Sequence, residues 1–269
     1  MKKVLTYIVL IFGAVFMLLP FYWMVTTSFK LPSEVLAIPP KWFPSTFNLK
    51  NYADALRTAP FALYFFNSIM VAVINTALQV LTSAMAGYAF ARFNFRFKDQ
   101  LFLLFLGTMM IPMEVILIPN YLLLKYLGIY NTYFALTLPW AASVFGIFLM
   151  RQFVMSLPNE LFESAEIDGC NHWQILWKIV FPISKPVFIS VGLFSLIGSW
   201  NSFLWPLIMT DSESMRTIPV GLAYFTTEYA SRYHLMMAAA VLSTIPRVIT
   251  YFFAQKQFVE GIATSGMKN

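Results

Sequence analysis

Six long apolar runs constrain this chain more than any other feature. They cover residues 4–29, 62–90, 101–124, 133–150, 187–209 and 235–254. Crossing a bilayer takes about 20 predominantly apolar residues in a helix, and each run is near or above that length. The runs are continuous rather than alternating with period two. That pattern predicts helices instead of a membrane barrel. An even number of crossings places both termini on one side.

Composition supports lipid as the solvent. Hydrophobic residues make up 59% of the chain and charged residues 11%, against about 25% charged in an ordinary soluble domain. Mean hydropathy is +0.69. The 28 Phe, 13 Tyr and 7 Trp suit a chain with two water–lipid interfaces, where amphipathic aromatics collect. The net charge of +6 forms no stripe. Basic residues punctuate the gaps between apolar runs, which argues against nucleic acid as a partner. Cys170 is the single cysteine, so an internal disulfide and a multi-cysteine metal site are both excluded. Lys2 and Lys3 precede the first run in the manner of a signal peptide. The run is too long for a signal core and lacks a small-residue cleavage site, so it reads as a retained membrane helix.

Orientation follows from Lys and Arg. With the N-terminus cytoplasmic, the inner segments hold Lys2, Lys3, Arg92, Arg96, Lys98, Arg151, Lys178, Lys185, Lys256 and Lys268. The outer ones hold Lys30, Lys41, Lys50, Arg57, Lys125, Arg216 and Arg232. The tight cluster Arg92, Arg96 and Lys98, beside a membrane end, weighs most, so both termini are expected inside. Three segments between runs are long enough to act. Residues 30–60 are rich in Pro and aromatics and read as a compact cap on the membrane surface. Residues 151–186 form a cytoplasmic stretch, and residues 210–234 an outer loop. No repeat or separate soluble domain is visible, and residues 1–269 read as a single membrane domain, with its core over about 62–260.

The cytoplasmic stretch, LPNELFESAEIDGCNHWQILWKIVFPISKP, is the most informative. Pro158 suits a first helical turn, and Glu160 and Glu163 suit the positive end of a helix. Gly169 suits its end, being able to take a positive φ. Trp173, Leu176, Trp177 and Val180 then fall at helical spacing and predict a second, amphipathic helix, stopped by Pro182 and Pro186. The residues by themselves leave two readings: a solvated connection between spans, or a short acidic knob built to sit in a groove of another protein.

Glu163-Ser164-Ala165, Asp168-Gly169, Ile179 and Pro182 resemble the EAA signature of ABC-importer permeases. Ser164 replaces the usual Ala and Phe181 the usual Leu. The strings IPNYLLLKYLGIYNTYFALTLPW, FGIFLMRQF, SWNSFLWPL and RTIPVGLA, with the tail QKQFVEGIATSGMKN, are similar to carbohydrate-uptake permeases of the maltose type, specifically their second membrane subunit. The resemblance implies an all-α, six-span type I importer permease in the bacterial inner membrane. It also implies a second, different permease subunit, two copies of a cytoplasmic ATPase that bind ATP and Mg, and an extracytoplasmic solute-binding protein. Glu163, Ser164, Ala165, Asp168 and Gly169 would form the coupling helix, within 158–170, that docks on the ATPase. Gln257, Gly261 and Gly266 would reach the ATPase interface. Thr227, Glu228, Tyr229 and Ser231 would face the binding protein. The cargo implied is a carbohydrate, moved by alternating access. No GxxxxGK[ST] phosphate loop occurs, so the chain is expected to hydrolyse no ATP itself.

Charged groups inside spans are costly and mark function. Glu114 lies within the third run and Arg247 follows Pro246 in the sixth; an ion pair between them and separate hydrated positions both stay open. A sugar needs hydrogen bonds beside a flat apolar face. SWNSFLWPL offers both, so Asn201, Trp200 and Trp205 join Glu114 as candidates for the translocation path. His172 and His234 are too isolated for a metal site. Rival functions are import of a non-sugar solute by the same architecture, or a stand-alone secondary transporter or intramembrane enzyme.

Overall fold

The computed structural model describes residues 2–228 and 232–266, with side chains over 3–227 and 232–252. Among the described residues all regular structure is helical. Four helices are long and apolar enough to cross a membrane: Lys3–Ser28, Phe61–Arg92, Tyr133–Met155 and Tyr233–Phe252. The remaining apolar length lies in two bent pairs. Lys98–Thr108 meets Met113–Tyr126 at 97°, and His172–Ile183 meets Lys185–Asn201 at 79°.

The third run is expected as one continuous span and is broken instead, whereas the second bend falls ahead of the fifth run, where Pro182 and Pro186 are expected to stop the preceding helix. Pro112 is extended, with ψ 140°, and has no N–H to continue the preceding helix; the residue before a proline is also pushed out of the helical region. The second bend centres on Ser184, between Pro182 and Pro186. The fifth run stops at Asn201 and resumes as a short helix, Leu204–Met209. Pro206 sits in the first turn of that helix, where a missing N–H costs little.

The chain divides into two compact units, Met1–Phe66 with Thr217–Val248, and Asn67–Arg216 with Ile249–Asn269. In the first, Phe61, Tyr64, Ile218, Phe225, Leu235, Ala238 and Ala239 form the core. Gly221 is obligatory there, because a Cβ would stand 2.2 Å from the Tyr64 ring. Residues 30–60, read above as a cap, fold back on the first helix. Their aromatics pack edge-on against the end of the first helix, with Trp42 on Trp23 at 5.6 Å and Phe43 on Tyr22 at 5.8 Å. Asn51 closes that helix by donating to the Ser28 and Lys30 carbonyls at 2.8 and 2.9 Å. Glu34, 4% exposed, accepts from Lys41 Nζ at 2.9 Å and from the Ser45 and Leu31 backbone N–H groups at 3.2 Å each. Hydrogen bonds from Ser45, Lys41 and Leu31 hold its carboxyl down to about 2.

The second unit is built around Phe61–Arg92, from Asn67 onward. Small residues let its neighbours approach closely, as lipid-embedded interfaces require. A Cβ on Gly87 would lie 2.5 Å from that of Met150, and one on Gly146 2.2 Å from Ser83 Oγ. Asn67 pins the backbone of the 210–216 segment, donating to the Ser214 and Arg216 carbonyls at 2.8 and 2.9 Å.

Candidate functional site: a projecting helix and a polar cavity

Asn159–Ile167 is helical as expected, with Pro158 as its N-cap. Phe162 and Ala165, 1% and 5% exposed, seat it among Tyr88, Met150, Val154, Ile175, Leu176 and Val180. Its end is a Schellman motif: Cys170 N–H donates to the Ala165 carbonyl at 2.9 Å and Gly169 N–H to that of Glu166 at 3.0 Å. The motif demands a left-handed residue after the cap, and Gly169 supplies it at φ +79°. Asn171 then caps the next helix reciprocally with Gln174, both bonds being 2.9 Å.

The amphipathic stripe after Gly169 departs from expectation at Trp173 alone, since Trp177 packs on the same core as Leu176 and Val180. Ile175, Leu176 and Val180 face inward, whereas Trp173 is 59% exposed. The segment that follows, Leu176–Val180, is a π-helical turn.

What remains outside is an acidic surface with two large apolar side chains. Glu160, Glu163, Ser164, Glu166 and Asp168 are exposed, and Ile167 is 86% exposed. Anchors reach this knob from the end of Phe61–Arg92. Arg92 lies 3.8 Å over the Phe162 ring and donates to Asn159 Oδ1 at 2.8 Å. The Tyr88 hydroxyl bonds His172 Nδ1 at 3.2 Å, and Phe93 packs on the same imidazole at 4.7 Å. None of these anchors is marked by motif or spacing; they stand 67 and 84 positions from their partners.

The second feature is a cavity of about 710 Å³ in the same unit, within the roughly 300–1,000 Å³ of small-molecule sites. Of the four residues named for the translocation path, Glu114, Asn201 and Trp205 line this cavity, and Trp200 is buried and not among its lining. Arg247 belongs to the other unit. Trp140 and Trp205 stand edge to face at 5.3 Å, as do Phe145 and Phe194 at 5.6 Å. Trp205 Nε1 donates to the Ala135 carbonyl at 3.1 Å, so the indole polar group is already used and its ring is the surface that remains.

Sequence reasoning missed the polar row on Phe61–Arg92. The segment Leu138–Trp140 is a 3₁₀ turn containing Pro139, and its break frees carbonyls that lipid cannot satisfy. Gln79 donates to the Trp140 carbonyl at 2.9 Å and Thr82 to that of Ala141 at 2.9 Å. Asn75 Nδ2 donates to the Leu136 carbonyl at 3.4 Å and to Ser199 Oγ at 3.3 Å. Asn75, Gln79 and Thr82 fall at i, i+4 and i+7 in an otherwise apolar run, which was the available signal. Two acceptors beside the cavity are left over: Asn75 Oδ1 and Ser195 Oγ are buried without a partner. Each such orphan costs about 1–3 kcal/mol.

Other predicted positions are placed as follows. Thr227 is exposed and donates to the Ala223 carbonyl at 3.1 Å. Tyr229 and Ser231 lie outside the described residues, as do the side chains of Glu228, Gln257, Gly261 and Gly266.

Residues 79–264 match the family described as binding-protein-dependent transport system inner membrane component. The chain is 35% identical over 260 residues to the arabinooligosaccharides transport system permease protein of Halalkalibacterium halodurans, covering 96% of this chain and 92% of that one. It is 31% identical to the lactose transport system permease protein of Rhizobium radiobacter, with 98% and 96% covered. Among solved structures, a subunit of a bacterial ABC transporter involved in import of the acidic polysaccharide alginate superposes with a TM-score of 0.84. That match is 24% identical and covers 94% of this chain and 95% of that one.

Proposed function

Because this chain belongs to the family of binding-protein-dependent transport system inner membrane components, we propose that it forms one half of the membrane pathway of a carbohydrate importer. The subunit is non-catalytic, and ATP is hydrolysed by its partner ATPase. It works beside a second permease subunit and receives solute from an extracytoplasmic binding protein. Each bent pair counts as one crossing, giving six passes with both termini cytoplasmic. Residues 1–269 act as one permease domain, with the core over 62–260 and the coupling segment over 151–186.

The knob within 158–170 docks in the ATPase. One observation carries this reading: Ile167, 86% exposed, stands among free carboxylates on Asn159–Ile167, a helix outside the candidate spans, with Trp173, 59% exposed, following on the next helix. Exposed apolar side chains rimmed by charge mark an interaction surface. Glu163, Ser164 and Asp168 face the ATPase, while Ala165 and Gly169 shape the helix that presents them. When nucleotide closes the ATPase dimer, force enters through this helix. It passes through Arg92 and Tyr88 into the same long helix whose Asn75 and Gln79 line the cavity. The cavity, with Glu114, Asn201 and Trp205, is this subunit's share of the path. The tail at Gln257, Gly261 and Gly266 meets the ATPase, and Thr227, Glu228, Tyr229 and Ser231 meet the binding protein.

The test is co-purification of the complex carrying Glu163→Ala and Gly169→Pro. Expected is loss of bound ATPase, or loss of substrate-stimulated hydrolysis, with the two permease subunits still together. Unchanged binding and stimulation would reduce the segment to a connecting loop.

A further inference from the structure

Asn75 and Ser195, 3% and 7% exposed, belong to the lining of the one large cavity described in this unit. Their acceptor atoms are the buried polar atoms of that lining left without a partner. Around them stand Ser199, which already accepts from Asn75, and the aromatic pairs Trp140–Trp205 and Phe145–Phe194. Acceptors next to flat apolar faces form the chemistry that a sugar ring presents in reverse: hydroxyl donors around its edge and C–H groups on its faces.

We infer that this subunit reads the sugar directly, with Asn75 Oδ1 and Ser195 Oγ accepting hydrogen bonds from its hydroxyl groups. This inference rests on the carbohydrate reading above. Both acceptors are covered in the present conformation. They lie on the Phe61–Arg92 and Lys185–Asn201 helices, so parting of those helices uncovers them together. The site is therefore available in one half of the transport cycle and withdrawn in the other, which lets the cargo leave. Because a hydroxyl of the wrong configuration leaves a buried acceptor unpaired, the pair acts on specificity.

The experiment uses the whole importer in proteoliposomes with its ATPase and binding protein. Uptake is measured for labelled neutral oligosaccharides, including lactose and cellobiose, which differ in configuration at one hydroxyl. Ser195→Ala removes an atom that bonds nothing in the protein, so the fold tolerates it. Expected is a change of about three- to tenfold in the ratio of uptake between sugars of the panel, the effect of one hydrogen bond. Ser195→Thr, which keeps the hydroxyl, restores the wild-type ratio, and Asn75→Leu shifts it as well. A purely structural role would lower all sugars in parallel. Parallel loss, or wild-type rates and ratios in Ser195→Ala, overturns the inference. If the wild-type importer takes up no member of the panel, the carbohydrate reading fails, and this inference with it.

Discussion

Glu34 and Glu160 both stand in the first turn of a short helix introduced by proline, and their surroundings are opposite. Glu34 is buried under three donors from its own cap. Glu160 is exposed, as are Glu163, Glu166 and Asp168, and none of these four carboxylates has a hydrogen bond or ion pair among the described residues. A carboxylate that its own chain satisfies is a structural tie. A group of them left open beside exposed Ile167 and Trp173 is what the proposed docking of this segment on the ATPase requires.

The largest effect that sharpens this contrast comes from under the knob. Phe162→Ala removes a ring 1% exposed and the platform on which Arg92 lies. A loss of about 3–5 kcal/mol is expected, seen as a fall in thermal midpoint in detergent together with weakened ATPase binding. Gly169→Ala is smaller. A Cβ there meets nothing within 4 Å, so the cost is backbone strain alone, about 1 kcal/mol, with ATPase affinity more affected than stability.

The cap responds to acid. The Glu34 carboxyl is held at about 2, below its usual 4.5, so the charged form is bound more tightly in the folded state. Its stabilising contribution is complete above about pH 4.5 and is lost as pH falls towards 2. Comparing thermal midpoints of wild type and Glu34→Gln across that window should show a gap at neutral pH that closes on acidification. The smallest effect on stability belongs to Glu163→Gln, expected within about 0.5 kcal/mol of wild type, even as ATPase binding falls. If Glu163→Gln destabilised the isolated subunit as Glu34→Gln does, the contrast between the two carboxylates would collapse.

The all-helical membrane character, the number of apolar runs and the knob's boundaries are local properties. Long uncharged stretches force backbone hydrogen bonds inward, and the Pro158 start and the Gly169 stop depend on each residue's own conformational limits. These were legible one residue at a time. Glu114 and Asn201 could be picked out from the sequence because polar residues in apolar runs stand out; that they share one cavity lining with Trp205 could not.

Only tertiary structure decided the rest. Whether Pro112 or Pro186 kinks a span or bends it by 97° or 79° depends on what packs against the freed backbone, and Trp173 is exposed while Ile175 and Leu176 beside it are buried. Arg92 meets Asn159, Tyr88 meets His172, and Asn75 Oδ1 is left over beside Ser195. In each case a long-range approach brings the groups together, and no spacing along the chain encodes it. Sequence periodicity reports which face of a helix is apolar, whereas which polar atom finds a partner is settled by the neighbours that the fold delivers.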